Sequence, residues 1–438
     1  MRVSTAQIFD VANWGIGRNQ SELFKLQNQM STGRRVLTPA DDPLSASQAL
    51  VVTQSKEVGA QFLKNQEDAK GKLNLTEGYL SSISELLQNT RALVVQAANT
   101  TLTNADRSYI ADELESYFGE LLGLANTQDG NGNYLFSGFQ GTVQPFLETQ
   151  TGADYFGDDG VRMHQIAASR VISSSVSGSE LFNNIRAGNG VFSTATAGNT
   201  LISAQNQGTA IIDQGSVLDY EKFRTALDFN PSGVSVQFFV NSSVTPPKTQ
   251  YQLIFDPLAT FPSAPNLGPL TDFEPGQAIN LRKLADNNGP AVDFGAQVTI
   301  TGDPAAGDSF SIQASQHQSV FTTLRSTVDL LRRGIDPGVT GMSPTEFSNR
   351  LAGNLQNITQ ALENVNRVHS MVGAHLNEID AAENSAESAQ LQYESKLSDL
   401  QDLDYAKAIS DLMRKQMQLE AALQSFKQTS QLSLFRIL

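Results

Sequence analysis

The chain contains no cysteine. Disulfide frameworks, zinc–thiolate centres and thiol catalysis are therefore excluded. Four histidines and one tryptophan leave little material for imidazole chemistry or aromatic ligand stacking. No run of eighteen apolar residues occurs, so no membrane-spanning helix and no membrane insertion are expected. The first residues, MRVSTAQIFDVANWGIGRNQ, lack the basic-then-apolar order of a cleaved signal. The expectation is a protein that is cytosolic, or exported without cleavage. Basic side chains are the minority charge, 30 Lys plus Arg against 45 Asp plus Glu, for a net charge of -15. That balance argues against a nucleic-acid partner, because coating a polyanion needs basic surface.

Catalytic signatures are missing as well. There is no G-x-S-x-G, H-E-x-x-H, Walker loop or G-x-G-x-x-G. Asp129, Asn131 and Asn133 match the first ligand spacings of an EF-hand, but Tyr134 and Gln140 occupy the positions that need Gly and Glu. A plain turn is the better reading. His369 and His375 are six apart, not the three or four that share a helix face. Asp158-Asp159 sits between Gly157 and Gly160, again turn-like. Asp399, Asp402 and Asp404 suit a solvated helix start, where acids favour the helix dipole. Trp14 is expected to pack. No catalytic, cofactor or metal site is expected, and the chain reads as a non-enzyme.

Proline divides what is there. Of 15 prolines, 12 fall between Pro145 and Pro337, and proline costs a helix interior about 3 kcal/mol. Two proline-poor flanks around a proline-rich centre read as helix, insertion, helix. In the first flank, Gly33 ends a short amphipathic stretch. Asp42-Pro43 then looks like an N-cap with proline at the first helical position. Leu73, Thr76, Leu80, Ile83, Leu87, Thr90 and Val94 form a heptad seam. Thr103 and Asp106 can form a capping box, and Ile110, Leu114, Tyr117, Leu121 and Leu124 continue in a second helix.

In the far flank, Phe321, Leu324, Val328 and Leu331 make a short seam broken by Gly334, Pro337 and Gly338. Ser343-Pro344-Thr345-Glu346 is a strong helix start. The 94 residues from Thr345 contain no further proline, and one helix of that length would reach about 140 Å at 1.5 Å per residue. A break near Gln401 is expected. In the centre, Asp129 to Phe136 reads as a hairpin. Residues 234–238, 251–255, 297–300 and 310–312 alternate as half-buried strands do.

The fold class is α+β and multidomain. An elongated, coiled-coil-like helical body is built from both ends, with a central mostly-β inserted domain. The expected domains are residues 1–40 with 401–438 as terminal helices for inner packing, 41–134 with 315–400 as a helical rod, and 135–314 as an outward β domain. Residues 140–320 hold eight basic and sixteen acidic side chains, whereas residues 399–438 hold five of each. Ends with little net charge can pack against copies of themselves.

The terminal faces are Leu23, Leu26 and Met30 at the front. At the back, Tyr405, Ile409, Leu412, Gln416, Leu419, Leu423 and Phe426 follow four-three spacing. Periodicity leaves two readings open, an intramolecular coiled coil or faces that pack on neighbouring subunits. The candidate assembly residues are Leu23, Leu26, Met30, Ile409, Leu412, Leu419, Leu423 and Phe426.

Leu26 to Arg35 (LQNQMSTGRR), followed by Pro39-Ala40-Asp41-Asp42-Pro43, resembles the N-terminal region of bacterial flagellins. Ser398 to Ala406 (SDLQDLDYA) and the tail Leu432 to Leu438 resemble their C-terminal region, with Asp-Leu-Asp at 402–404 where Asp-Ala-Asp is commoner. The start Met1 to Thr5, Tyr134 to Phe139 with Pro145-Phe146, Tyr155 to Gly160, Gln165 to Ala167, and Ser177-Gly178 resemble the branch at the junction of hook and filament. The likeness covers about the first 185 and last 120 residues of the chain. It implies a structural subunit without catalysis or cofactor that assembles as a ring or helical array with itself. Neighbouring hook-associated protein and flagellin subunits are implied as further partners. It also implies uncleaved export through the flagellar type III secretion channel, an extracellular place in the flagellum, and a cytoplasmic export chaperone on the C-terminal helix. Filament flagellin itself, a secreted adhesin or enzyme carried by the central domain, and a cytosolic coiled-coil scaffold remain alternatives.

Overall fold

A computed structural model describes residues 5–202, 205–255, 266–285, 291–336 and 342–434. The breakers Pro337 and Gly338, residues 1–4 and the tail from 435 lie outside the described residues. Seven α-helices are present among the described residues: α1 (Thr5–Thr32), α2 (Pro43–Ala97), α3 (Asn104–Ala125), α4 (Tyr220–Phe229), α5 (Val320–Arg333), α6 (Pro344–Gln401) and α7 (Tyr405–Leu434). The expected break is real, since α6 stops at Gln401 and α7 starts at Tyr405. The chain divides into two compact units. One holds Met1–Asp68, Gln165–Arg170 and Ile379–Leu438, and the other Ala69–His164 and Val171–Glu378.

In the second unit the heptad seam of α2 is buried at every expected position from Leu73 to Val94. Val94 and Ala97 meet Ile110 and Leu114 of α3, Val328 and Leu331 of α5, and Phe347 and Leu351 of α6 in one apolar cluster. The capping box forms in both directions: Thr103 N donates to Asp106 Oδ2 at 2.9 Å and Asp106 N donates to Thr103 Oγ1 at 3.2 Å. The start of α6 is capped by Ser343, whose Oγ accepts from Glu346 N at 3.1 Å. The Glu346 carboxylate is used elsewhere, on Thr196 Oγ1 and Arg350 Nε.

The predicted strands all form, as 234–241, 248–255, 292–301 and 308–314. One antiparallel sheet runs in the order 266–267, 248–255, 234–241, 308–314, 192–199. A second sheet places 292–301 between 278–283 and 211–212. Phe192, Val236, Phe238, Phe255, Phe294 and Phe310 fill the core of these sheets. The centre is mostly β, with one element that was not expected and one expectation that needs correction. It contains a helix, α4, capped by Asp219, whose side chain accepts from Lys222 N. Phe223 of α4 lies between Phe192 and Phe294, with centroids 5.5 and 5.6 Å away. The hairpin at 129–136 reduces to a turn closed by a single bridge between Gln128 and Tyr134. There the Asp129 carboxylate accepts from the backbone N–H groups of Asn131 and Asn133, so the local chain winds around the acid instead of extending.

Asp158 is likewise structural. Its Oδ1 accepts from Phe139 N at 2.9 Å and Gly160 N at 2.7 Å. Gly138 has φ +72, and a Cβ there would sit 2.2 Å from Asp158 Oδ1, so only glycine allows this approach. Beside it Phe136, Phe146, Phe182, Phe118 and Phe321 form a buried aromatic cluster. Phe321 is 5.8, 5.1 and 5.5 Å from Phe118, Phe146 and Phe182. Removing the central ring leaves a cavity that its neighbours cannot refill. Phe321→Ala should cost about 3–5 kcal/mol, read as a lowered denaturation midpoint; a change under about 1 kcal/mol would show that the cluster repacks.

Candidate assembly surface of the terminal helices

Helices α1 and α7 belong to the first unit. Here α1 and α7 run antiparallel. Phe9 meets Phe426 edge-on with centroids 5.6 Å apart, Glu22 pairs with Lys415, and Tyr405 Oη donates to the Met30 carbonyl at 3.1 Å. The two residue numbers in each contact add to nearly the same total, as antiparallel rods in constant register require. On α1 the half-buried residues Phe9, Ala12, Ile16, Asn19, Leu23, Leu26 and Met30 alternate three and four apart, a heptad seam. Leu23, Leu26 and Met30 are therefore where periodicity put them.

The seam of α7 is partly displaced from its expected line. Leu412, Leu419 and Phe426 are half-buried in it. Ile409 and Leu423 are not brought in; they are 41% and 45% exposed. Ala408, Lys415 and Ala422 take the alternate positions instead. Both phases have heptad spacing, so spacing could not choose between them. Side-chain size does: two alanines leave room for α1, and Lys415 lays its stem along the seam while its ammonium reaches Glu22. The Glu22 carboxyl is held below its usual range by Lys415 and, next, by Arg18.

A second apolar stripe remains outside. Tyr405, Ile409, Met413, Met417 and Leu423 are exposed, and at about 100° per residue they spread from roughly 60° to 180° around α7 from the seam. On α1, Val11, Trp14 and Phe24 are exposed too. The expected packing of Trp14 is not met within this chain; it is 69% exposed, with the Arg18 guanidinium 5.8 Å from the ring. Along the pair, Phe9, Ile16, Ala422 and Phe426 line an open trough of about 730 Å³. Nothing in the seam is as dry as the second unit's core, except the small side chain of Ala408.

The connectors at the base of the pair are tied together. Gly33 has φ +71 and ends α1 in the left-handed region that glycine favours. Its carbonyl accepts from Leu403 N at 2.9 Å, and Arg35 N donates to the Gln401 carbonyl at 2.7 Å. Arg35 then clamps three segments, donating from Nη2 to the Leu400 carbonyl at 2.8 Å and from Nη1 to Asp42 Oδ2 at 3.1 Å. Asp42 caps α2, as its place before Pro43 predicts, by accepting from Ser45 N at 3.0 Å. Asp41 accepts from Thr38 N at 2.9 Å and pairs with Lys25 at 2.7 Å. Asp404 caps α7 through Lys407 N at 3.1 Å, so one of the three C-terminal acids is a cap. The sequence assigned no role to Arg35, whose partners at Leu400 and Gln401 lie far along the chain, or to Asp41, whose partners Thr38 and Lys25 are nearby.

Both loop acids are strongly acidic. Asp41 is lowered to about 2 by Lys25 and then Thr38, and Asp42 to about 2 by the Ser45 side chain and backbone, then Arg35. A depressed carboxyl contributes stability that is full above its unfolded pKa, about 4, and is lost as pH falls through its folded value. Amide resonances of Leu37, Thr38 and Ser45 should therefore hold constant from neutral pH to about 4 and move as pH falls towards 2. Movement centred near pH 4 would show that the loop does not hold these acids.

The profile "Bacterial flagellin N-terminal helical region" matches residues 3–141, and "Bacterial flagellin C-terminal helical region" matches residues 355–438. Together they cover just over half of the chain. The "Flagellar hook-associated protein 3" of Salmonella typhimurium is 36% identical over 185 residues, 42% of this chain and 58% of that protein. The chain thus spans a little over half the length of this curated relative. The crystal structure of flagellar hook-associated protein 3 from Legionella pneumophila is similar at 27% identity and TM-score 0.66, covering 80% of this chain and 98% of that one. FlgL from Xanthomonas campestris is similar at 26% identity and TM-score 0.63, covering 79% and 99%. With flagellin regions at both ends, in order, and a fold shared with these structures, the chain belongs to the bacterial flagellin family.

Proposed function

We propose that the chain is a structural subunit of the bacterial flagellum that forms the junction between hook and filament. The observation that carries this reading is the unfinished state of the α1–α7 pair. Its seam residues are only half-buried, and a second stripe of large apolar side chains on α7 faces water. Two helices cannot enclose such a stripe, and further helices from other molecules can. Similarity to proteins titled hook-associated protein 3 and flagellar junction protein supports the junction over the filament.

Contacts of this kind are heterologous and extend around a ring or helical array. The terminal helices are then the inner packing domain, the helical rod carries them, and the β-rich centre faces outward. The partners are copies of the chain, neighbouring hook-associated protein and flagellin subunits. Before assembly, a cytoplasmic export chaperone holds the apolar face of α7, and the chain leaves uncleaved through the flagellar secretion channel. No catalytic role is proposed. Among the described residues no helix is long and apolar enough to cross a membrane, and no cluster of metal-ligating side chains is present.

Met413→Glu combined with Met417→Glu changes two exposed positions, so far-UV circular dichroism should not change. Sedimentation of the chain with purified hooks should fall at least tenfold, to roughly the level that a loss of about 1.4 kcal/mol produces. A native chain that stays in the supernatant beside purified hooks, or whose residues 5–32 and 405–434 are strongly protected from hydrogen exchange when alone, would sink the proposal.

A further inference from the structure

In the second unit a polar cleft of about 500 Å³ lies between the edge strand 192–199 and helices α5 and α6. Small-molecule sites commonly measure about 300–1,000 Å³. Its floor is fixed. Thr194 and Asn349 are each 9% exposed, and their polar groups are engaged: Thr194 Oγ1 donates to the Asp213 carbonyl at 2.8 Å, and Asn349 Nδ2 donates to the Ala210 carbonyl at 3.2 Å. Beside them the buried Glu346 carboxylate accepts from Thr196 Oγ1 at 3.1 Å and from Arg350 Nε at 2.6 Å.

The rim differs from the floor. Asp329 and Arg333 of α5 both line the cleft. They are four residues apart, the spacing at which opposite charges on a helix pair. Glu346 and Arg350, at that spacing on α6, do pair. Asp329 and Arg333 make no ion pair or hydrogen bond among the described residues. Arg350 uses only Nε, which leaves its two terminal nitrogens free. Asn354 accepts from Ser326 Oγ at 3.4 Å, and its amide donors are unused. That contact sets the antiparallel register of α5 and α6, and it places Arg333 and Arg350 towards the same end of the cleft. The rim thus offers two guanidiniums, one carboxylate and one amide, all uncommitted in whole or in part.

We propose that this cleft binds an acidic sugar of one or two rings. Arg333 and Arg350 hold its carboxylate, since guanidinium forks match that geometry. Asp329 accepts from its hydroxyls, Asn354 donates to them, and Leu330 and Met342 take the apolar face of a ring. The lining selects against the simpler ligands. A plain anion would suit the arginines but would also face Asp329, at a like-charge cost. A neutral sugar would leave Arg333 unmatched. A free amino acid would match the charges and fill only a small part of the volume. No aromatic side chain lines the cleft, so a nucleotide would have no ring to stack on. The site lies wholly within one molecule and is independent of the junction reading.

The rim charges are exposed and screened by salt, so the test uses low ionic strength. Digalacturonic acid is titrated into the full chain and followed by calorimetry and by saturation transfer to the sugar protons. It should bind, and cellobiose, succinate, inorganic phosphate and glutamate should each bind at least tenfold more weakly. Arg333→Gln changes an exposed position, so far-UV circular dichroism should not change, and it should weaken digalacturonic acid at least tenfold. Asp329→Asn should narrow the preference for digalacturonic acid over succinate. No heat and no saturation transfer at about 10 mM ligand would overturn the inference. Equal binding of cellobiose would overturn the role of the carboxylate, and equal binding of succinate or phosphate would reduce the cleft to a plain anion site. Tighter binding of glutamate would overturn the sugar, and unchanged affinity in Arg333→Gln would place the ligand elsewhere.

Discussion

The number of helices around a seam decides how dry that seam can be. Around the second unit's core, α3, α5 and parts of α2 and α6 surround one another, and Leu80, Leu114, Leu324 and Val365 are buried. The α1–α7 pair has two helices and no cover, so Leu23, Leu26, Leu412 and Leu419 stay half-exposed. Full burial of such a side chain is worth about 1.5–3 kcal/mol, so each leaves roughly half of that unrealised. Isolated helices gain little from propensity alone. The terminal pair holds one register along its length and is too thin to bury its own seam.

Charge supports the same division of labour. Inside the pair the one seam cation, Lys415, is matched by Glu22. At its base Arg35, Lys25, Asp41 and Asp42 neutralise one another. These are exposed or half-exposed pairs, so their value lies in geometry more than in stability. The connectors gain a fixed direction, because Gly33, Arg35, Gln401 and Leu403 exchange backbone hydrogen bonds. The stripe of α7 that faces water contains no such pairing, and it is the surface that the proposed function assigns to other molecules.

Much of this was legible in the sequence because helix signals are local. The seam from Leu73 to Val94, the Thr103 capping box, the Asp42-Pro43 start and the stop at Gln401 depend on neighbours within a turn or two. Strands 234–241, 248–255, 292–301 and 308–314 were visible from alternation. Helix α4 was missed because its apolar stripe is short and it lies among strands, where Phe223 is recruited by Phe192 and Phe294. The phase error on α7 has a different cause. Ile409 and Leu423 are more apolar than Ala408 and Ala422, so hydrophobicity favoured them, but close approach of two backbones favours small residues. Arg35 was unreadable for a third reason, since it matters through a backbone carbonyl that sequence distance hides.

The antiparallel register of α1 and α7 has a temporal meaning. Phe9 finds its mate in Phe426, more than four hundred residues further along the chain. Closing so wide a loop carries an entropic penalty that grows only slowly with span, yet no local event can anticipate it. A polypeptide delivered end-first must therefore keep α1 single until the segment around Phe426 has emerged. Loss of either helix would orphan the other as well.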